Sequence, residues 1–256
     1  MGGIMTFIIA EAGINHDGKW ERGLDLIDAA KEAGADAVKF QMFNSQELWG
    51  DDRIEHLEFS QDQMIGMKAH CVEVGLEFMC TPFSVEAVKF LTPLVKRHKI
   101  ASGCRNLSIL NAVAATKLPV IMSCGMAETD EIEKAAAFFE DDTTLMQCTS
   151  SYPCHPNDVN LLAFESLVNW NNYDLGFSDH TQGITASIAA VAMGATVIEK
   201  HLTLDKTADG PDHSSSIEPQ EFKAMVEGIR EVEIMLGDGE KKVLECEKEL
   251  RRQWYE

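Results

Sequence analysis

Residues 173–212, YDLGFSDHTQGITASIAAVAMGATVIEKHLTLDKTADGPD, hold two apolar runs that each lead into a histidine, with a helical segment at 184–193 between them. The first run leads into Ser178-Asp179-His180, and the second, at 196–198, into Glu199-Lys200-His201. Two parallel strands joined by a right-handed helical crossover place their C-terminal ends side by side. His180 and His201 would then meet although they are far apart in sequence, with Asp179, Glu199 and Asp212 nearby. Imidazoles beside a carboxylate can hold a divalent cation. The residues alone therefore point to a metal or acid–base site at the open end of a barrel.

The same alternation extends back to the N-terminus. Strands are predicted at 5–10, 35–40, 76–80, 96–101, 119–122, 144–147, 173–176 and 196–198. Helices are predicted at 20–33, 61–74, 107–116, 128–139, 160–168, 184–193 and 218–236, with one more begun by Ser84, whose third position is Ala87 and so lacks the glutamate of a capping box. Gly34 and Gly75 stand where helix C-caps fall. The segment 44–60, with Trp49 and His56, is longer than a usual connection and reads as a lid or an interface segment. Eight such units fit an α/β fold of the (β/α)8 TIM barrel type. The rival, an open doubly wound sheet, would carry a glycine-rich nucleotide turn after its first strand, and the glycines at 13 and 18 do not make that turn. The barrel is expected to occupy 1–236 as one domain, with 237–256 a charged extension rather than a second domain.

A chain of 256 residues, 45% apolar and 25% charged, has the composition of an ordinary globular protein. Its 42 acidic residues outnumber 22 basic ones, for a net charge of -20. That field repels nucleic acid and anionic membrane, so neither is an expected partner. The N-terminus MGGIMTFIIAEAG lacks the basic region of a signal peptide, and no apolar run is long enough to span a bilayer. Seven scattered cysteines without close CxxC pairs read as reduced thiols, and the expected location is cytoplasmic.

Polar residues gather just after successive strands: Glu11; Lys39 and Gln41; Thr81; Lys99 with Ser102; Ser123; Thr149 with Ser150; Ser178 with His180; Lys200 with His201. In a barrel these positions form one ring at the C-terminal mouth. Lys39 and Lys99 are natural contacts for a phosphate or carboxylate, with hydroxyls of Thr81, Ser102, Ser123 and Ser178 around them. Each has a plainer reading. Lys39 can serve as an ion-pair partner of Glu11, Lys99 can continue the basic surface run 96–98, and strand alternation turns Lys200 away from His201. Cys104, Cys124 and Cys148 read as buried or loop thiols rather than nucleophiles. Two histidines with a carboxylate suit manganese or a related hard cation better than structural zinc, for which no compact Cys/His cluster exists. This is the apparatus for metal-assisted chemistry on a small anionic or carbonyl-bearing substrate, with the reaction class left open.

The segments IAEAGINHDG, DAVKFQ, CTPFS, KIASG, SCGM, CTSSYP, GFSDHT and IEKHLTLDKTADGPDH, in this order over most of the chain, closely resemble the sialic acid synthase family, the enzymes that make nonulosonic acids. The resemblance implies a (β/α)8 barrel that condenses phosphoenolpyruvate with an open-chain N-acetylated amino sugar, such as N-acetylmannosamine, and releases phosphate. It implies His180 and His201 as ligands of a divalent metal, Mn2+ above all and Mg2+ or Co2+ as substitutes. It assigns phosphoenolpyruvate contacts to Lys39, Thr81, Lys99, Ser102, Ser123, Ser150 and Ser178, with Gln41 close by, a catalytic role to Glu11, and sugar-side roles to Tyr152 and Asp212.

Typical relatives continue into an antifreeze-like domain that supplies an arginine to a neighbouring subunit's sugar site, whereas this sequence stops near the barrel's end. A homodimer and a separate partner domain are therefore further expectations. Cys104 stands where some N-acetylmannosamine-using relatives have Glu, and Arg105 after it could replace a missing contact. The competing readings are a metal-dependent aldolase or lyase acting on a related 2-keto acid, and a noncatalytic sugar- or partner-binding barrel.

Overall fold

Alternate residues of a strand face opposite sides, so a strand enclosed on both faces must suit two different surroundings. A computed structural model, which describes residues 5–103, 106–139, 142–168 and 173–255, shows eight such strands. The first units are β1 (Phe7–Gly13), α1 (Trp20–Glu32), β2 (Ala37–Met42), α2 (Ser45–Trp49), α3 (Gln61–Val74), β3 (Glu77–Pro82), α4 (Val85–Leu91) and β4 (His98–Ile100). There follow α5 (Leu107–Thr116), β5 (Val120–Ser123), α6 (Thr129–Ala136), β6 (Thr143–Cys148), α7 (Phe164–Val168), β7 (Asp174–Asp179), α8 (Thr185–Ala192), β8 (Val197–His201), α9 (Pro219–Leu236) and α10 (Lys248–Tyr255). The ladders are parallel, in the order β3-β2-β1-β8-β7-β6-β5-β4. The sheet wraps into a nearly closed barrel, with β3 and β4 packed together at its seam.

The strands' outer faces and the helices share one large core that includes Ile8, Ala10, Val38, Phe40, Phe78 and Ile198. The lumen holds a second, smaller one: Ile9, Ala37, Met79, Ile121, Met146 and Val197, each from a different strand. Below this plug the Arg97 guanidinium lies 4.4 Å from the Phe7 ring centroid. Each buried Ile, Val or Met contributes roughly 1.5–3 kcal/mol relative to exposure. With its lower lumen filled by apolar side chains, the barrel leaves only its upper end for polar chemistry.

Local signals explain the frame. Ser60 and Gln63 form a reciprocal capping box on α3, and Ser84 accepts a hydrogen bond from the Ala87 N–H at 3.0 Å to start α4. In α9, Phe222, Met225, Val226 and Ile229 fall at helical spacing and are buried, as the helix packs against α8 and α1. Residues 237–255 are exposed throughout and include α10.

Several expected elements have different bounds; β1, for one, runs on to Gly13 and β4 shortens to His98–Ile100. β7 and β8 run on to Asp179 and His201, because their polar ends find buried partners and need no apolar character to stay in the sheet. Residues 160–168 form a 3-10 turn, Leu161–Ala163, before the short α7, and Asn160 sits at a left-handed φ of 49 that breaks a longer helix. The helix expected over 128–139 ends at Ala136. The long connection after β2 folds into α2 and a 3-10 turn, Glu55–Leu57.

Candidate active site

In the layer above the apolar plug, strand alternation turns Glu11, Lys39, Thr81, Lys99, Ser123, Ser178 and Glu199 toward one another. Lys39 Nζ lies 2.5 Å from Glu11 Oε2 and donates to Thr81 Oγ1 at 3.0 Å. Lys99 Nζ donates to Ser123 Oγ at 2.6 Å. Glu199 stands between the lysines, 3.7 Å from Lys39 and 3.5 Å from Lys99, and accepts from Ser178 Oγ at 3.1 Å. All four charged side chains are nearly inaccessible to water. The expected Glu11–Lys39 pair is therefore present and still lies inside the cavity. Lys99 does not share the exposure of Lys96, because β4 turns it into the lumen.

Burial pushes the Glu11 carboxyl up to about 7, with Lys39 opposing and Glu199 adding to the rise. Glu199 is also raised by burial, but Lys39 and Lys99 outweigh that effect and hold it below its ordinary value. Burial likewise opposes charge on Lys39, where Glu11 and Glu199 prevail and raise it; on Lys99 burial prevails and lowers it. The result is one protonatable carboxyl beside an ionised one, with two ammonium groups compressed around them.

A second cluster lies on the β4–β6 side. The Gly125 N–H donates to Ser102 Oγ at 3.2 Å, and Ser102 Oγ donates to Cys148 Sγ at 3.1 Å. Ser150 Oγ is buried and has no hydrogen-bond partner among the described residues. A Cβ at residue 125 would stand 2.4 Å from Ser150 Oγ and 2.7 Å from Ser102 Oγ, so glycine there lets the two hydroxyls converge. Hydroxyls and an amide gathered near buried lysines make an anion cradle.

The two histidines meet across β7 and β8, their ring centroids 5.4 Å apart at 64°. His180 Nδ1 is 2.7 Å from the Thr149 carbonyl oxygen. A carbonyl only accepts, so Nδ1 carries a proton; burial opposes charge on this ring, but Cys148 and the Thr149 carbonyl outweigh it and raise its pKa. Burial keeps His201 neutral, its pKa well below the ordinary value, and its Nδ1 has no hydrogen-bond partner, with Asp212 Oδ2 3.7 Å away. The two imidazoles could together hold a divalent cation of the manganese type through ring-nitrogen lone pairs. Among the described residues no three His, Cys, Asp or Glu side chains are spaced to hold a metal, so the fit rests on the two imidazoles.

Asp212 is brought there by a tied-down loop. Ser215 and Ser216 hydroxyls donate to its carbonyl at 2.9 and 2.7 Å, and Asn15 joins Ser216 Oγ to the Leu202 carbonyl. His213 bonds both Thr203 Oγ1 and Asp17 Oδ1, fastening the loop to the β1–α1 turn. Gly13, at φ +53, leaves room for Gln41, which donates to Glu11 Oε1 at 2.8 Å, and for the Asp212 carboxylate. Tyr152 covers the histidines, its ring centroid 4.1 Å from that of His180.

Every residue that the family resemblance assigned to the site lines this one cavity of about 620 Å³, whereas Thr149, expected in the ring, is not in its lining and donates to the Asp158 carbonyl. Lys200 points the other way, as alternation required, and pairs with Asp179. Cys104 and Arg105 lie outside the described residues. Sequence reasoning missed three participants. Glu199 was noticed as a nearby carboxylate but not placed in the ring, although it shares a strand face with His201. Gly125 carries no signal of its own, and Cys148, at a strand end where a thiol could line a site, reads more readily as a buried or loop thiol; the folded distances reveal both. The outer wall, with Phe43, Leu48, Trp49, Ile54 and Phe83, is apolar, and Arg53 at the rim is paired with Asp51.

Comparison with known proteins agrees with this geometry. The sequence pattern of the NeuB family matches residues 26–241. The N,N'-diacetyllegionaminic acid synthase of Legionella pneumophila is 40% identical, over 98% of this chain and 79% of the relative. The human N-acetylneuraminate-9-phosphate synthase is 37% identical, over 94% of this chain and 74% of the relative. The N-acetylneuraminic acid (sialic acid) synthetase of Leptospira borgpetersenii, solved in complex with citrate, superposes with a TM-score of 0.92 at 36% identity, covering 97% of this chain and 91% of that one.

Proposed function

We propose, from the premise that this chain belongs to the NeuB family, that it condenses phosphoenolpyruvate with an open-chain N-acylated amino sugar and releases phosphate, forming a nonulosonic acid. Its relatives' names place them in nonulosonic acid synthesis. The observation that carries the finer reading is the meeting of two unlike halves in one cavity: an anion half built on Lys39, Lys99 and the serine hydroxyls, and a carbonyl half built on His180, His201 and Asp212.

In this reading the lysines and the Ser102, Ser123 and Ser150 hydroxyls bind the phosphate and carboxylate of phosphoenolpyruvate. The ligand's negative charge offsets the two ammonium groups that Glu11 and Glu199 balance in its absence. His180 and His201 would hold the divalent cation, Mn2+ by preference, which supplies Lewis-acid polarisation of the sugar aldehyde. Asp212, Tyr152 and Gln41 orient the sugar beside the enol carbon. That carbon bonds to the aldehyde carbon, whose oxygen takes up a proton. Water then adds at the phosphate-bearing carbon and loses a proton, and the tetrahedral intermediate expels phosphate, its hydroxyl proton passing to the leaving group, to leave the 2-keto acid. Glu11, titrating near neutrality, can give the first proton and accept the second. Holding both reactants in a preorganised polar site supplies much of the acceleration. Among the described residues no helix is long and apolar enough to cross a membrane, which accords with the proposed cytoplasmic setting.

The test is phosphate release by manganese-loaded protein given phosphoenolpyruvate and a panel of N-acylated hexosamines, with His201→Ala as control. Release that needs an acceptor and disappears in the control is expected. Pyruvate exchange without phosphoenolpyruvate would point to an aldolase instead, and ligand binding without turnover to a noncatalytic barrel.

A further inference from the structure

The face of β7 and β8 turned away from the lumen also carries charge. Asp179 and Lys200 are register partners across the ladder and are fully buried, with Lys200 Nζ 3.0 Å from Asp179 Oδ2. Each immediately precedes one of the two cavity histidines. The contacts reach beyond the pair itself. Asp179 Oδ1 accepts the Thr181 N–H at 2.8 Å, and Lys200 Nζ donates to the Thr181 carbonyl at 2.5 Å. Ser187 on α8 donates to Asp179 Oδ2 at 2.6 Å. Both peptide groups of Thr181 are thus held by side chains from two neighbouring strands. The His180 carbonyl, one residue back, is fixed by the Cys154 N–H at 2.8 Å.

A buried ion pair is an inefficient source of stability, because desolvation consumes most of its attraction. Its advantage over apolar filling is direction: charged, hydrogen-bonded groups define a backbone position that dispersion forces leave loose. Groups bonded behind a ligating histidine commonly set its orientation and affinity.

We infer that the Asp179–Lys200 pair is a positioning device that fixes where the His180 imidazole stands relative to that of His201. This rests on the reading of those imidazoles as the metal-holding pair. Neither charged residue lines the cavity. Ser178 and Glu199 on these same strands face the anion half, but the bonds of the pair run to Thr181, next to His180, so its loss should weaken metal affinity and largely spare phosphoenolpyruvate affinity.

The test uses the full chain carrying Asp179→Asn and Lys200→Met together. Asn keeps an acceptor for the Thr181 N–H, and no buried charge is left unpaired. Uptake of Mn2+ alone is followed by the electron paramagnetic resonance of the free ion, alongside phosphoenolpyruvate affinity, kcat and thermal midpoint. The parent is expected to bind Mn2+ and His201→Ala to lose it. The double variant should lose roughly tenfold or more in Mn2+ affinity and lose kcat, with phosphoenolpyruvate affinity within about twofold of the parent. Mn2+ affinity within about twofold of the parent would overturn the positioning role and leave the metal reading intact. A parent that takes up no Mn2+ would overturn both. Equal weakening of Mn2+ and phosphoenolpyruvate would overturn positioning by showing a general loosening. Should the double variant not fold, Ser187→Ala removes one bond to Asp179 and keeps both charges; a roughly threefold loss of Mn2+ affinity alone is then expected, and no loss refutes the inference.

Discussion

Gly125→Ala isolates the anion cradle from the rest of the site. The added methyl would stand 2.4 Å from Ser150 Oγ and 2.7 Å from Ser102 Oγ, closer than real Cβ contacts allow. Both obstructing atoms end short side chains that can rotate away, so the fold should lose no more than about 1 kcal/mol. Ligand affinity should suffer more. A hydrogen bond to a charged group is worth roughly 1.5–3 kcal/mol, and the methyl displaces one or both hydroxyls. A loss of about 2 kcal/mol for a single bond corresponds to roughly 30-fold weaker phosphoenolpyruvate binding, and displacing both makes it weaker still. Equilibrium binding is the right assay, since KM equals Kd only when chemistry is slow relative to dissociation. Ser150→Ala removes a hydroxyl that has no hydrogen-bond partner among the described residues, so it should weaken binding by a similar factor at little cost to stability. Combining the two should cost less than the sum, because the methyl no longer meets Ser150. A phosphoenolpyruvate Kd within about threefold of the parent in both single variants would refute the cradle, since even a weak charged bond exceeds that.

Two further outcomes follow from other parts of the molecule. Burial lowers His16 and His98 to about 4. Between the unfolded value near 6.5 and about 4, the unfolded chain binds protons that these histidines refuse, so the stability they contribute is complete above 6.5 and drains away as pH falls, by at most roughly 3 kcal/mol each. Urea midpoints at several pH values should show His98→Asn with a shallower acid decline, and an unchanged slope counts against this account. Trp49→Ala, in the wall formed by the connection after β2, should raise the acceptor KM several-fold with phosphoenolpyruvate Kd unaltered; equal effects on both ligands would place Trp49 elsewhere in function.

Barrel architecture was legible because it is written in repeated units: eight apolar runs, seven crossovers with a closing helix, and polar residues after each run. Where strands end was less legible. Sequence patterning stops β7 at Gly176 and β8 at Ile198 because it equates strand with apolar character, but Ser178 bonds Glu199 and Asp179 pairs with Lys200 across the ladder, so both polar ends remain in strands. A lumen that is apolar below and polar above must defeat that equation at the level where the chemistry sits.

The same physics explains why Glu199, though noticed near the histidines, was not placed in the ring while Lys39 and Lys99 were. An acidic residue in a chain with 42 of them carries no information by composition, whereas a lysine at a strand end stands out against a net charge of -20. Glu199 acquires its meaning only from position. Strand alternation puts it on the face of His201, and barrel closure puts that face opposite Lys39 and Lys99 at 3.7 and 3.5 Å. Once there, it holds both ammonium groups in a cavity otherwise too dry to keep two of them. It also helps lift the Glu11 carboxyl into the neutral range. One unremarkable glutamate thus couples the charge balance of the anion half to the proton that Glu11 can move, and removing it would disturb binding and proton transfer together.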